Sequence, residues 1–280
     1  MKLYYEGSEG SIINLMEDPI FAQNPEALTG STWKYTAMSE VNGLGRVKRF
    51  YKEMEEKSLK LSIMADSEKA FNEISYRMHR VFERDVRRAK PGKIWWNNFF
   101  KEVFIIDTTN EEFEEYFQSI EKTVKILSVK PYWTKVTKYQ YLDLTQNTGT
   151  LDYDESVLDY NNFDYDLEEL IEVVENDCID KTEFELTFYG PCLNPAVIIG
   201  DHLYELYTEL EEGEYAKIDS RTKKIRKYSV FGVEENIFAD RNKESYIFEK
   251  IPEGIIAINR DKQLKMDITL YDERGEPEWI

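Results

Sequence analysis

The sequence predicts a mainly β protein: a β-rich α+β N-terminal half with one clear helix, followed by an antiparallel β-sandwich. Three observations carry this expectation. Aromatic residues make up 14% of the 280 residues and Tyr alone fills 19 positions, a bias that suits strands packed face to face. Apolar and polar side chains alternate in several short runs, the pattern of half-buried strands. One stretch shows helical spacing instead.

In chain order, the first clear strand is marked by Leu59, Leu61 and Ile63. The helix follows, with Phe71, Ile74, Met78, Val81 and Phe82 on one face, Asp66 or Ser67 as its cap and "KPG" at Lys90–Gly92 as its stop. Glu68 and Glu73 lie near its positive end, and Arg84, Arg87 and Arg88 near its negative end, each complementing the helix dipole. "KIWWNNFF" then reads as a hairpin turning at Asn97 and Asn98, "EVFIID" as a further apolar run, and "KTVKILSVKPYW" as a strand ending at Pro131.

The second half is a succession of short runs separated by Gly, Pro, Asn and Asp: "EFELTFYG", "AVIIG", "HLYELY", "EYAKIDS", "KKIRKYSV", "ESYIFEK", "GIIAINR" and "QLKMDITLYDE". Such spacing predicts an antiparallel sandwich. Within it, "AKIDSRTKKIRKY" reads as a hairpin turning near Ser220–Thr222. No internal repeat is visible.

Composition excludes several functions. Against 36 Lys and Arg stand 55 Asp and Glu, a formal charge of −19, which argues against wrapping a phosphate backbone or adhering to anionic lipid. The start, "MKLYYEGSEG", lacks the apolar core of a signal peptide. The longest uncharged run, Leu186–Gly200, is too short to span a bilayer and holds Pro191 and Pro195. Synthesis in a cytoplasm and no membrane span are therefore expected. Cys178 and Cys192 read as two buried small side chains rather than a disulfide.

Chemistry-bearing motifs are weak. His79 and His202 have no ligand-like neighbours at metal spacing, and "NGLGR" at Asn42–Arg46 lacks the strand and Lys of a phosphate loop. No Ser sits in a nucleophile elbow. The acids supply abundant pairs, but none with a legible catalytic geometry. No catalytic residue, metal site or cofactor is expected.

The tract "DYDESVLDYNNFDYDLEE" at Asp152–Glu169 has no positive charge, and residues 151–185 hold fourteen acids against one Lys. A calcium loop would need a Gly turn and a terminal bidentate Glu at set spacing, which the tract lacks. Tyr153, Tyr160, Phe163 and Tyr165 suit anchors of an arm that docks on another subunit.

Taken in order, the segments "LTGSTWKYTAM", "SVKPYW" at Ser128–Trp133, "NPAVIIGDHLYELYTELEEGEYAKIDSRTKKI", "NIFADRNKESYIFEKIPEG" and the final "YDERGEPEW" resemble the distal tail (Dit) proteins of siphophages that infect Gram-positive bacteria. The resemblance spans nearly the whole chain and lies in the order of these elements. The acidic tract is longer than a minimal member of the family would carry. The resemblance implies an N-terminal ring-forming domain at 1–135, a galectin-like domain at 136–280 with the acidic arm at about 151–185, and a junction at Pro131, Tyr132 and Trp133.

It further implies a homohexameric hub ring at the tail tip, assembled in the host cytoplasm and carried in the virion. Such a ring joins the major tail tube protein to the tail-associated hub protein and to receptor-binding parts, and DNA passes through it unbound. "Galectin-like" here is a statement of fold and brings no sugar site. A ring needs two complementary patches per copy, for which Arg46, Lys48, Arg49, Arg84, Arg87 and Arg88 are basic candidates. The alternative is a carbohydrate-binding module acting through the sandwich, with a carboxylate enzyme behind it.

Overall fold

The computed structural model describes residues 1–39, 45–110, 119–143 and 172–278. These form two compact units, 1–135 with 273–280, and 136–272. Tyr153, Tyr160, Phe163 and Tyr165 lie outside the described residues.

The first unit contains β1 (Leu3–Glu6), β2 (Ile12–Asn14), β3 (Met16–Glu17), β4 (Ile20–Ala22), β5 (Lys34–Ser39), β6 (Gly45–Tyr51), β7 (Glu55–Met64), α1 (Glu68–Arg87), β8 (Gly92–Trp96), β9 (Phe99–Asn110), β10 (Ser119–Ser128) and the start of β11 (Trp133–Tyr141). Its ladders are antiparallel, in the order β11-β9-β10-β7-β4-β3, with β8, β1 and β2 following one another off β9. Alternation works as the sequence predicts. Leu59, Leu61 and Ile63 of β7 point inward and oppose Val124, Lys122 and Ile120 of β10. The Asn97–Asn98 hairpin also forms, with Asn97 taking the positive φ its turn requires.

Ser67 caps α1 by accepting the Ala70 N–H at 3.2 Å. Phe71, Met78, Val81 and Phe82 are buried, the helix packs on β9, and the chain leaves it through Ala89 in a left-handed conformation just before the "KPG" stop. One polar group sits among these apolar ones. The Asp85 carboxylate is fully buried and accepts hydrogen bonds from Tyr5 Oη (2.6 Å), Ser8 Oγ (2.6 Å) and the Ser8 N–H (3.1 Å). It ties the last turns of α1 to β1. A Cβ on Gly7 would lie 2.6 Å from Val81, so the approach of the two segments requires glycine there.

The second unit contains β12 (Glu172–Asn176), β13 (Glu183–Tyr189), β14 (Cys192–Leu193), β15 (Ala196–Ile199), β16 (His202–Glu205), β17 (Glu209–Leu210), β18 (Tyr215–Asp219), β19 (Lys224–Tyr228), β20 (Glu234–Asn236), β21 (Gly254–Arg260) and most of β22 (Lys265–Arg274). One sheet runs β20-β19-β18-β13-β22, and a second runs β12-β21-β15-β16. Their inward side chains make one core: Phe184, Leu186, Phe188, Ile218 and Ile268 from the first, Val174, Val197, Tyr204 and Ile256 from the second. This is the antiparallel sandwich that short, evenly spaced strands predict.

Two sequence readings change. "ESYIFEK" is not a strand: no ladder forms over it, and the segment turns instead, with Glu249 N–H donating to Tyr246 O at 2.9 Å. The acidic stretch is no arm over residues 172–185, because β12 and β13 carry it into the core. Glu172 is held bidentately by the buried Arg260 at 2.6 and 2.7 Å, and Asn176 donates to the Ile251 and Pro252 carbonyls at 3.1 and 2.7 Å. Both cysteines are half-buried rather than fully buried.

Removing the Tyr5 hydroxyl leaves a buried carboxylate one donor short. Tyr5→Phe is expected to cost about 1.5–3 kcal/mol, measured as a fall in the urea midpoint at unchanged m-value.

Candidate assembly surface

Among the described sheets, β5 and β6 stand apart as a two-stranded ribbon. Its residues are β-formers, including Tyr35, Thr36, Val47, Phe50 and Tyr51. Yet the side chains described along both strands are exposed up to the half-buried Tyr51. Tyr35 is 62% and Phe50 61% exposed, and Trp33, Met38, Val47 and Met54 are exposed as well. An isolated two-stranded hairpin is marginal in water and needs a third layer on its apolar face.

The register shows how the ribbon is sided. Tyr35 opposes Phe50 and Thr36 opposes Arg49, but Ala37 opposes Val47, so Lys48 is an extra residue on β6. This bulge shifts the phase of β6 by one. Tyr35, Ala37, Val47 and Phe50 consequently share one side, while Thr36, Met38, Arg46, Arg49 and Tyr51 share the other. The Arg49 guanidinium lies 6.0 Å from the Tyr51 ring on that second side. One face of the ribbon is apolar and the other carries Arg46 and Arg49.

Between Lys34 and Lys52 the chain carries five basic residues and one acid, on a protein of charge −19. At the foot of the ribbon, Lys34 pairs with Glu53 at 2.5 Å. Lys52 lies 5.0 Å from the Trp33 ring and 4.6 Å from the Tyr132 ring, and donates to the Pro131 carbonyl at 3.5 Å. Beneath it, Lys101 is only 4% exposed, with its ammonium 3.3 Å from Glu55 and 4.8 Å from the Trp133 ring. Burial pushes the Lys101 pKa down to about 8, against the opposing pull of Glu55.

The structure separates the residues singled out from sequence. Arg46 and Arg49 lie on the basic side of the ribbon and Lys48 at its bulge. The helix-end arginines are already engaged within the chain: Arg84 with Glu9 at 2.7 Å and Ser11 at 3.1 Å, Arg88 also with Glu9, and Arg87 with Glu83. Trp133 is fully buried in the first unit, edge-on to Trp96 at 6.4 Å, while Pro131 and Tyr132 line the ribbon's foot. Sequence reading missed Trp33, Tyr35, Val47 and Phe50, whose alternation is broken by the bulge.

Neither histidine joins a cluster of ligands. His79 is 3.5 Å from Glu83 on the helix surface, and His202 Nε2 lies 3.0 Å from the Tyr246 carbonyl and 3.2 Å from Ser245 Oγ. Among the described residues no group of three or more His, Cys, Asp or Glu is placed to hold a metal, and no helix is long and apolar enough to cross a membrane.

No family model matches the sequence, and no curated protein matches it. Solved structures do. The fold is similar to that of the SPP1 Dit protein, described as a paradigm of the hub adsorption apparatus in Gram-positive-infecting phages, with TM-score 0.62 and 9% identity over 98% of both chains. It is also similar to a chain of the phage P2 baseplate in its activated conformation with Ca, with TM-score 0.62 and 12% identity over 99% of this chain and 98% of that one. The same baseplate with Sr matches equally. At these identities the likeness is one of fold, and it agrees with the resemblance carried by the order of sequence segments.

The Lys101 ammonium gives stability a pH dependence of known sign. Between about pH 8 and the ordinary Lys value near 10.5, the unfolded chain binds a proton that the folded chain has released, so stability rises with pH across that window. Lys101→Met is expected to remove its share of this rise, leaving that of Lys52 and Lys122, which burial also pushes down, and leaving Glu55 its pair with Lys57 at 3.2 Å. Urea midpoints of the parent and variant at pH 7.5, 8.5 and 9.5 check it.

Proposed function

We propose that this protein is a non-enzymatic structural component of a bacteriophage tail tip, built as a ring of six identical copies. The observation that carries the reading is the β5–β6 ribbon, whose apolar face is without cover among the described residues. A neighbouring copy supplies that cover. Aromatic anchors provide affinity, and the basic side, set against the acidic surface of a copy of charge −19, provides register. The similarity in fold to SPP1 Dit and to a chain of the phage P2 baseplate supports the same reading.

In this reading the first unit is the ring-forming domain beneath the tail tube, and the second is a galectin-like sandwich directed to peripheral, receptor-binding parts. The tail tube protein and the tail-associated hub protein are the axial partners. The ring conducts DNA without binding it, because a carboxylate-rich wall repels phosphate. Its place is the virion, after assembly in the host cytoplasm.

A sugar-binding role for the sandwich finds less support. Two rings on which a sugar would stack have cations over them: Arg241 lies 4.0 Å from the Phe238 ring, and Lys223 lies 5.7 Å from the Tyr246 ring.

The mass of the full-length chain in solution tests the ring. About six copies are expected by sedimentation. Tyr35→Ser with Phe50→Ser removes two anchors worth about 2 kcal/mol or more each, so each step should weaken association roughly 30-fold and yield smaller species. A double variant that assembles like the parent would overturn the role given to the ribbon.

A further inference from the structure

The second unit presents an apolar tip that nothing in its own sheet requires. β19 and β20 are joined by Ser229–Val233, in which Val230 is exposed, Phe231 is 93% exposed and Val233 is exposed. The loop is held in one shape. Gly232 N–H donates to Ser229 O at 2.9 Å, Ser229 N–H to Val233 O at 3.0 Å, and Val233 N–H to Ser229 Oγ at 3.2 Å, with Gly232 at a φ of 76°. A rigid turn loses little conformational freedom when it docks.

Acids surround the tip. Glu235 stands on β20, and Glu211 and Glu212 belong to the neighbouring turn, whose Gly213 lies against Val230. Among the described residues none of these three carboxylates has an ion pair, whereas Glu214 pairs with Lys227 at 2.7 Å and Glu234 with Arg226. Apolar residues ringed by uncompensated negative charge disfavour an anionic lipid surface. They favour an apolar pocket with a cationic rim.

The first unit contains such a pocket. A cavity of about 290 Å³ is lined by Ser11, Tyr76, Arg77, Arg80, Val81 and Arg84 on and beside α1. Tyr76 is exposed on it, and among the described residues Arg77 and Arg80 have no ion pair, unlike Arg84. The volume is near the lower end of ligand-sized clefts, roughly 300–1,000 Å³, and suits a single aromatic side chain. Val81 and the Tyr76 ring give it an apolar part, and its arginines supply the charge that the tip lacks.

We infer that the Val230–Val233 tip of one copy docks in the Tyr76–Arg80 pocket of another copy, with Phe231 against Tyr76 and Val81, and with Glu212 and Glu235 facing Arg77 and Arg80. Tip and pocket are different patches, so the contact is head-to-tail, the type a cyclic assembly uses. A tip of a few residues buries far less than the roughly 1,000 Å² of a stable interface. It therefore acts inside the ring proposed above, on which it rests, where tethering makes the second contact effectively intramolecular.

The test uses full-length chains in which Cys178 and Cys192 are replaced by Ser. Copies carrying Phe231→Cys are mixed with copies carrying Tyr76→Cys under ring-forming conditions and treated with a short bis-maleimide. The expected product is a heterodimer at least tenfold more abundant than that from Phe231→Cys with Met64→Cys. Arg77→Glu with Arg80→Glu should remove it, and Glu212→Lys with Glu235→Lys on the partnering copy should restore it. Rings that form without the 231–76 product, or charge reversal without rescue, overturn the contact and leave the ring standing. A parent chain that sediments only as a monomer overturns the ring, and this contact with it.

Discussion

A two-stranded ribbon has only two faces and no second layer, and this shortage of cover governs how the rest of the molecule is understood. The main apolar surfaces described in each unit are covered internally. In the first unit α1 lies over β9, and in the second two sheets close on each other. The ribbon places Tyr35, Val47 and Phe50 on a face that is exposed among the described residues. Ordering such a surface is unfavourable in water. The fold is thus complete as a set of cores and incomplete as a surface.

Much of the scaffold was legible because its signals are local. Leu59, Leu61 and Ile63 reveal β7 by period, Ser67 and "KPG" bracket α1, and Asn97–Asn98 marks a hairpin. What escaped depends on distance or on phase. Arg84 and Arg88 read as interface candidates because Glu9, their partner, lies far away in sequence. Asp85 reads as one more polar helix residue until Tyr5 and Ser8 fold onto it. Tyr246–Glu249 imitates a strand because aromatic and polar residues mingle there, and the local bond from Glu249 N–H to Tyr246 O shows it to be a turn. The candidate surface was half legible. Its cations stood out on an acidic chain, while its apolar face was hidden by an irregularity in the alternation.

Charge is distributed to match. A net −19 keeps separate copies soluble and mutually repulsive at long range. Basic residues gathered on one ribbon and one helix face give that repulsion local exceptions, and salt screens both. Selective contact then comes from position, since a cation is useful only where it meets an uncompensated acid at short range. The buried pair of Arg260 with Glu172 serves a different purpose, since its bidentate hydrogen bonds fix β12 beside β21 rather than recognise a partner.

The bulge at Lys48 has an implication for how this surface can vary. Sidedness beyond it is set by the number of residues, not by their kinds. Were Lys48 to pair in a regular ladder instead of bulging, every position on β6 toward Gly45 would rotate to the opposite side. Val47 would then lie among cations and Arg46 among aromatics. A single-codon insertion at this point would invert half the ribbon, whereas deleting Lys48 would keep Val47 on the side of Phe50, and many exchanges of one apolar side chain for another would leave the pattern intact.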